Sequence, residues 1–342
     1  MKNRFLVVLV SIVACVSLVA CSRSEEAELL AAPKALDPLP SWRAGEAKSA
    51  ILQFVEKTTT EGAPDFVPVA ERIAVFDNDG TLWPENPVPV EVAFALDTAK
   101  SMLAERPELE QHPAYKALRD GDVEALADHH YRLLLELVLA THAGRTTEAF
   151  EKSVVRWIAT ARHPRFDRPY SSCTYRPMQE VLRLLRSKGY RTYIVSGGGQ
   201  DFMRALSLKV YGIPPEQVIG SVLKTKYELK NDRPTLTILP EVALVDDKGG
   251  KPVAIHHFIG RTPVMAFGNS DGDHAMLQLT TIGRKPSFGL IVHHTDAERE
   301  YAYDVEPKSS GKLDEALEAA SRRGWLVVDM KKDWIEVWSP TE

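Results

Sequence analysis

A four-residue apolar run, Ile73-Ala74-Val75-Phe76, stops abruptly at Asp77-Asn78-Asp79-Gly80-Thr81. An unbroken apolar run of that length reads as a strand covered on both faces, as in a parallel sheet. Two acids and a hydroxyl at the carboxyl end of such a strand lie where open α/β folds bind ligands. Carboxylates that close repel each other and lose hydration, so they need a shared proton or a cation. A hard divalent ion with oxygen ligands, most simply magnesium, meets that need. The same residues also make an ordinary Asp-Asn-Asp-Gly turn, so the weight falls on the rest of the chain.

Downstream, strand and helix signals alternate with one interruption. Residues 90–161 show no strand-like run and three helical stretches, 90–103, 123–140 and 147–161. In the second, Leu126, Leu133, Leu134, Leu137 and Val138 share one face. This reads as a helical module inserted just after the first strand. His129, His130 and His142 lie within it. Neighbouring residues point to different sides of a helix, and no carboxylate stands at ligand spacing, so these histidines read as solvated or packed.

A second strand, 191–195, runs into Ser196-Gly197-Gly198-Gly199 and a helix over 200–210. Glycines let backbone N–H groups approach an anion, and a helix start carries partial positive charge. The alternative is a plain glycine turn closing a strand–helix unit. Residues 218–239 carry β-branched runs about Asn231-Asp232-Arg233-Pro234, a hairpin signal. Lys251 follows Gly249-Gly250. A third buried strand, 263–267, ends in Gly268-Asn269-Ser270-Asp271-Gly272-Asp273. A fourth, 288–292, is followed by His293-His294, which read as a strand-end pair. A helix over 312–323 and the segments 325–328 and 334–338 close the fold.

The amino terminus stands outside this pattern. Lys2 and Arg4 precede an apolar stretch over residues 5–20, the layout of a secretory signal. The stretch is short for a spanning helix, which needs ~20 residues. Leu18-Val19-Ala20-Cys21 resembles the bacterial lipoprotein box, which implies cleavage before Cys21, lipid on it, and a place on an envelope membrane. Ser22 after the cysteine implies the outer membrane, facing the periplasm. An ordinary signal peptide or an uncleaved anchor are the alternatives. Beyond Cys15 and Cys21 only Cys173 remains, so no disulfide within the fold and no cysteine-based zinc site is expected. The resulting division is a signal over 1–20, a lipidated cysteine and tether over 21–45, an α/β core over 46–89 and 162–342, and a helical cap over 90–161. The formal net charge of -5 argues against a nucleic-acid partner, and nothing in the sequence indicates a protein partner.

Three strands thus end in two carboxylates, in a hydroxyl with glycines, and in an amide with two carboxylates, with a lysine before the third. Converging in one sheet, these suit phosphoryl transfer: a nucleophile, a cation, hydrogen-bond donors and a fixed positive charge. In type and order they resemble the haloacid dehalogenase-like (HAD) superfamily, and within it the phosphoserine-phosphatase-like branch. Asp77 to Thr81 match its first motif, Ser196 the second, Lys251 the third with Lys248 as runner-up, and Gly268 to Asp273 the fourth.

The resemblance implies an α/β fold with a doubly wound, mostly parallel sheet and a helical cap after the first motif. It implies a magnesium-dependent phosphatase acting on a small phosphorylated metabolite. Asp77 would attack phosphorus, and Asp79 would protonate the leaving alcohol and then activate water. Thr81, Ser196, Gly197 and Lys251 would hold the phosphate. Magnesium would take Asp77, the backbone carbonyl of Asp79, and a group from Asn269, Asp271 or Asp273. Where the family carries an aspartate this chain has Asn269, so one charge is missing; Asp271 is a candidate to restore it, and Asp273 reads as outer-shell. Trp83, Glu85 and the helical module would face the alcohol portion, with Glu85 read as solvated. Two further readings remain: a non-catalytic binding lipoprotein on a decayed HAD fold, and a HAD hydrolase of a phosphonate or carbon–halogen bond.

Overall fold

The structure, a computed structural model, describes residues 36–121, 123–307 and 309–340, and only the backbone of residues 123–131. The chain divides into two units, Met1–Asp37 and Pro38–Glu342, and every helix and strand among the described residues lies in the second. The expected signal and Cys21 lie outside the described residues, as do the side chains of His129 and His130. No helix among the described residues is long and apolar enough to cross a membrane.

In chain order the elements are α1 (Glu46–Thr59), β1 (Ile73–Phe76), α2 (Val90–Glu105), α3 (Pro113–Asp120), α4 (Val123–His142) and α5 (Thr147–Ile158). Then come α6 (Arg176–Ser187), β2 (Arg191–Gly199), α7 (Gln200–Tyr211), β3 (Val218–Lys230), β4 (Arg233–Leu244), α8 (Gly250–Phe258) and β5 (Met265–Gly268). The chain ends with α9 (His274–Thr281), β6 (Phe288–His293), α10 (Glu315–Arg323), β7 (Leu326–Asp329) and α11 (Met330–Asp333). The strands form one sheet in the order β4-β3-β2-β1-β5-β6-β7. All neighbours run parallel except β3 and β4, an antiparallel hairpin at the edge. This is the doubly wound, mostly parallel α/β architecture.

The two-residue period of a strand explains the layers. On β1, Ala74 and Phe76 join a core with Ile194, Met265, Phe267 and Leu290, while Ile73 and Val75 face a second core with Val195, Ala266 and Ile291. The first core is covered by α1, α6 and α7 through Ile51, Val55, Leu182, Leu185, Phe202 and Leu206. The second is covered by α8, α9 and α10 through Ile255, Met276, Leu277, Ala316 and Ala320. Each Leu or Ile removed from water here contributes roughly 1.5–3 kcal/mol. All four residues of β1 and of β5 are buried, as strands covered on both faces must be.

α2 to α5 fall in sequence between β1 and β2; Ala99, Tyr115, Leu118 and Leu137 give α2, α3 and α4 a small core of their own, while Phe150, Val154 and Ile158 of α5 join the first core of the sheet. The link from α4 to α5 pairs with the edge hairpin: Gly144 N–H donates to Ile238 O at 2.9 Å, and Ile238 N–H to Arg145 O at 3.0 Å.

Two of the boundaries that differ from those expected from sequence bear on the site. β2 does not stop before Ser196 but runs through the glycines to Gly199, which pairs again with Ser221 after an irregularity in register. The glycines permit this because a side chain at Gly199 would collide with the Glu91 carboxylate, 2.1 Å from the Cβ position. The last long helix begins at Glu315 rather than 312, because the chain before it is held in a turn by Asp271.

Candidate active site

The register of β1 on β5 sets the centre of the site. Phe76 lies opposite Phe267, their rings stacked with centroids 4.2 Å apart, and Asp77 N–H donates to Phe267 O at 2.9 Å. Asp77 is therefore delivered beside the turn that carries residues 269–273. β2, on the other side of β1, brings Ser196 and Gly197 to the same edge. These ends open on a cavity of about 920 Å³ whose walls include Asp77, Asp79, Glu91, Ser196, Gly197 and Lys251.

Lys251, near the start of α8, reaches inward and is almost fully buried. Its Nζ donates to Asp77 Oδ1 at 2.7 Å and to Asp273 Oδ1 at 2.6 Å. Burial opposes the charge on this ammonium, but Asp273 and Asp77 outweigh it and hold its pKa above the ordinary lysine value. Lys248 also borders the cavity, yet the lysine that meets Asp77 is Lys251. Burial and the nearby Asp273 push Asp77 up to about 8, although Lys251 pulls the other way.

Asp79 accepts a hydrogen bond from Trp83 Nε1 at 2.8 Å. Burial raises it to about 7, with Glu91 adding to the rise and Trp83 opposing it. On the glycine segment, Gly198 N–H donates to Ser196 Oγ at 3.3 Å, which leaves the serine's own hydrogen free to point at a ligand.

Several expected roles are corrected by the geometry. Thr81 does not face the cavity: it is fully buried and its hydroxyl donates to Asn269 Oδ1 at 3.1 Å, so it fixes that amide instead of holding phosphate. Asp273 is not placed as a metal ligand. One oxygen meets Lys251, and the other accepts from the backbone N–H groups of Asn269 and Ser270 at 2.9 and 3.1 Å. Asp271 does not restore the charge missing at 269. Its Oδ1 accepts from the N–H groups of Asp314 and Ala316, holding the start of α10. Glu85 is not solvated but 4% exposed, and its Oε1 accepts from Asn269 Nδ2 at 2.6 Å and from the Tyr303 hydroxyl at 2.8 Å. Burial raises Glu85 to about 8, against the pull of His294 and Tyr303.

Two groups at the site gave no sequence signal, Glu91 and Tyr303, and a third, His294, read only as part of a strand-end pair. Glu91, at the start of α2, accepts from Gly199 N–H at 2.6 Å and lies 3.1 Å from His142 Nε2. His142 is accordingly packed, with its ring centroid 4.6 Å from that of Phe150. His294 contacts the carbonyl of Gly80 and Tyr303 contacts Glu85, and both lie just beyond β6. An acid early in a helix is ordinary chemistry for its own sake, and partners more than a hundred residues away leave no local pattern.

A magnesium ion fits this donor set. Oxygen donors that suit a hard cation are at hand: the carboxylates of Asp77, Asp79 and Glu85 border one cavity, and the Asn269 amide is bonded to Glu85. Burial raises the pKa of all three acids even though Lys251 lies beside Asp77 and His294 acts on Glu85, so positive charge compensates their anions only in part, and a dication would add to it. Among the described residues, no three His, Cys, Asp or Glu side chains are already gathered around one point.

Comparison with known proteins places the chain. Residues 74–278 match the family profile of the haloacid dehalogenase-like hydrolases. Among solved structures, the chain is similar to a conserved protein of unknown function from Anaerococcus prevotii. That pair shares 18% identity, covers 78% of this chain and 95% of the other, and has a TM-score of 0.49. A protein of unknown function from Bordetella pertussis shares 15% over 76% and 99% of the two chains, also with a TM-score of 0.49. A phosphoserine phosphohydrolase-like protein from Francisella tularensis shares 17% over 65% and 87%, with a TM-score of 0.35. No curated protein matches the sequence. The family match covers more than half of the chain and takes in Asp77, Ser196, Lys251 and the 269–273 turn; the chain belongs to the haloacid dehalogenase-like hydrolases.

Proposed function

We propose that this protein is a magnesium-dependent phosphomonoesterase that works through a phosphorylated Asp77. The observation that carries the reading is the placement of Asp77: a carboxylate at the end of β1, bonded to the buried ammonium of Lys251 and open to a cavity walled by Asp79, Ser196 and Gly197.

In this reading the phosphate sits against Lys251, the Ser196 hydroxyl and the Gly197 N–H. The carboxylate of Asp77 attacks phosphorus in line with the ester oxygen, and the leaving alkoxide takes the proton of Asp79. A pKa near 7 suits Asp79 to that task, since a useful fraction is protonated at neutral pH. The alcohol leaves, water enters, and Asp79, now anionic, takes a proton from it as it attacks the aspartyl phosphate. Phosphate departs with Asp77 restored as carboxylate. Asp77, the Asp79 backbone carbonyl and the region of Asn269 would hold the magnesium ion, which would neutralise charge on the carboxylate and the phosphate. Asp79 also favours a phosphoester over a carbon–halogen bond, whose cleavage has no alkoxide to protonate.

The test is phosphate release from a panel of phosphomonoesters, with and without a chelator, by the wild type and Asp77→Asn. Release that needs magnesium and vanishes in the variant is expected, with a phosphorylated peptide containing Asp77 trapped by acid quench. Failure of every ester at saturating magnesium sinks the reading.

We also propose that the protein works at the cell envelope, on a lipid carried by Cys21, as Leu18-Val19-Ala20-Cys21 and the basic, apolar leader support. Radiolabelled palmitate in the wild-type protein, and none in Cys21→Ser, is the expected result.

A further inference from the structure

Asn269 stands where the resemblance calls for a carboxylate, yet the site holds a buried acid that the reaction does not use. Glu85 reaches the same spot from the other side of the Asp77 turn. Its Oε1 is 2.6 Å from Asn269 Nδ2, so a carboxyl group able to supply the absent charge lies one hydrogen bond away. The orientation of the Asn269 amide follows from its partners. Thr81 Oγ1 donates to the oxygen, and the nitrogen faces an acceptor that has no hydrogen to give when ionised.

The arrangement is built rather than incidental. Gly80 has φ +75°, and a Cβ there would lie 2.1 Å from Asn269 Nδ2 and 2.3 Å from Glu85 Oε1. Only glycine lets the two side chains meet over the turn between Asp79 and Thr81. Tyr303 fixes Glu85 through a hydrogen bond of 2.8 Å, and Glu85 borders the same cavity as Asp77 and Asp79.

We propose that the carboxylate of Glu85 replaces the charge missing at position 269. A divalent cation beside Asp77 is then held by the charges of Asp77 and Glu85, with the Asn269 amide between them. The acid and the amide have exchanged places relative to the pattern the resemblance implies, and the total charge offered to the ion is unchanged. The proposal rests on the reading of this site as a cation site, but not on which bond the enzyme breaks.

The test is manganese affinity of the full chain, measured by electron paramagnetic resonance of free Mn²⁺ without substrate. Glu85→Gln is expected to weaken binding about tenfold or more, the scale at which partners of metal ligands act. Adding Asn269→Asp to that variant is expected to restore wild-type affinity within a few-fold. Asn269→Asp alone is expected to bind Mn²⁺ more tightly than the wild type, and to melt at a lower temperature without metal, because two carboxylates then face each other. Circular dichroism monitors folding, and the Asn269→Asp measurement decides the matter if Glu85→Gln does not fold. Unchanged affinity in a folded Glu85→Gln, or in Asn269→Asp, overturns the proposal. Normal manganese binding by a protein that hydrolyses no ester would instead count against the phosphatase reading and leave this one standing.

Discussion

The imidazole of His294, just beyond the last buried residue of β6, has Nε2 2.7 Å from the carbonyl oxygen of Gly80 and Nδ1 3.1 Å from Glu300 Oε2. A carbonyl and a carboxylate can only accept, so this setting favours a ring that donates from both nitrogens, the imidazolium form. The ring clamps the glycine whose conformation lets Glu85 meet Asn269. Burial works against the charge, but Glu300, Glu85 and the Gly80 carbonyl outweigh it, and the pKa lies above the ordinary 6.5.

A raised histidine pKa stabilises the fold fully below the unfolded value and loses that contribution as pH rises through the folded value. Stability to urea is therefore expected to fall with pH from about 6.5 upward. His294→Gln is expected to make that slope shallower, the remainder coming from buried acids with raised pKa values such as Asp79 and Asp246, and to cost roughly 1–3 kcal/mol at low pH. An unaltered slope in the variant would show that His294 is not the group responsible.

Asp273 joins the buried ammonium of Lys251 to the backbone of the 269–270 turn. Removing one partner of a buried ion pair leaves a poorly compensated charge, at a cost of roughly 3–5 kcal/mol. Asp273→Asn is expected near the lower end of that range, since Asp77 still holds the lysine. The measurement is the urea unfolding midpoint at constant slope, and an unmoved midpoint contradicts a bracing role for Asp273.

Asp246, two residues past β4, is fully buried, and neither carboxylate oxygen has a hydrogen bond of normal geometry among the described residues. Burial raises it from 3.8 to about 7, against the pull of Lys251 and of the Ser196 backbone. The sign is opposite to that of a paired carboxylate. The native state binds the proton more tightly, so the cost of ionisation is absent below 3.8, grows up to about 7, and is complete above it. Asp246→Asn is expected to match the wild type in melting temperature near about pH 4. Near about pH 8 it should exceed it, by the equivalent of on the order of 1–3 kcal/mol. Equal stabilities across the range would rule this out.

Much of the fold was legible because apolar pattern reports directly on burial. The runs at 73–76 and 263–267 read as strands covered on both faces, and the helical faces of α6 and α7 follow from their spacing. The acids at the end of β1 and the serine and glycines of β2 stand where those strands must bring them.

Polar partnerships were not legible in this way. Asp271 and Asp273 are the same residue type two positions apart, and only the tight turn between them decides which one meets Lys251 and which one caps α10. Glu85 sits among Asn, Pro and Trp in a segment with no period, so it looked exposed. Its partner Tyr303 is 218 residues away. Thr81 presents a hydroxyl in a motif of ligands, yet its hydrogen goes to Asn269 because the peptide turns at Gly80.

The pairing of the α4–α5 link with Ile238 has a mechanical consequence. An inserted segment joined to a sheet only through its two connecting strands could swing as a flap. Here a third fastening, on the edge hairpin, holds the far side as well, and Glu91 adds a bond to Gly199 N–H near the hinge. Rotation of the whole roof about its hinge is thereby opposed, and the wall formed by α5 and the hairpin is tied to the sheet beneath it.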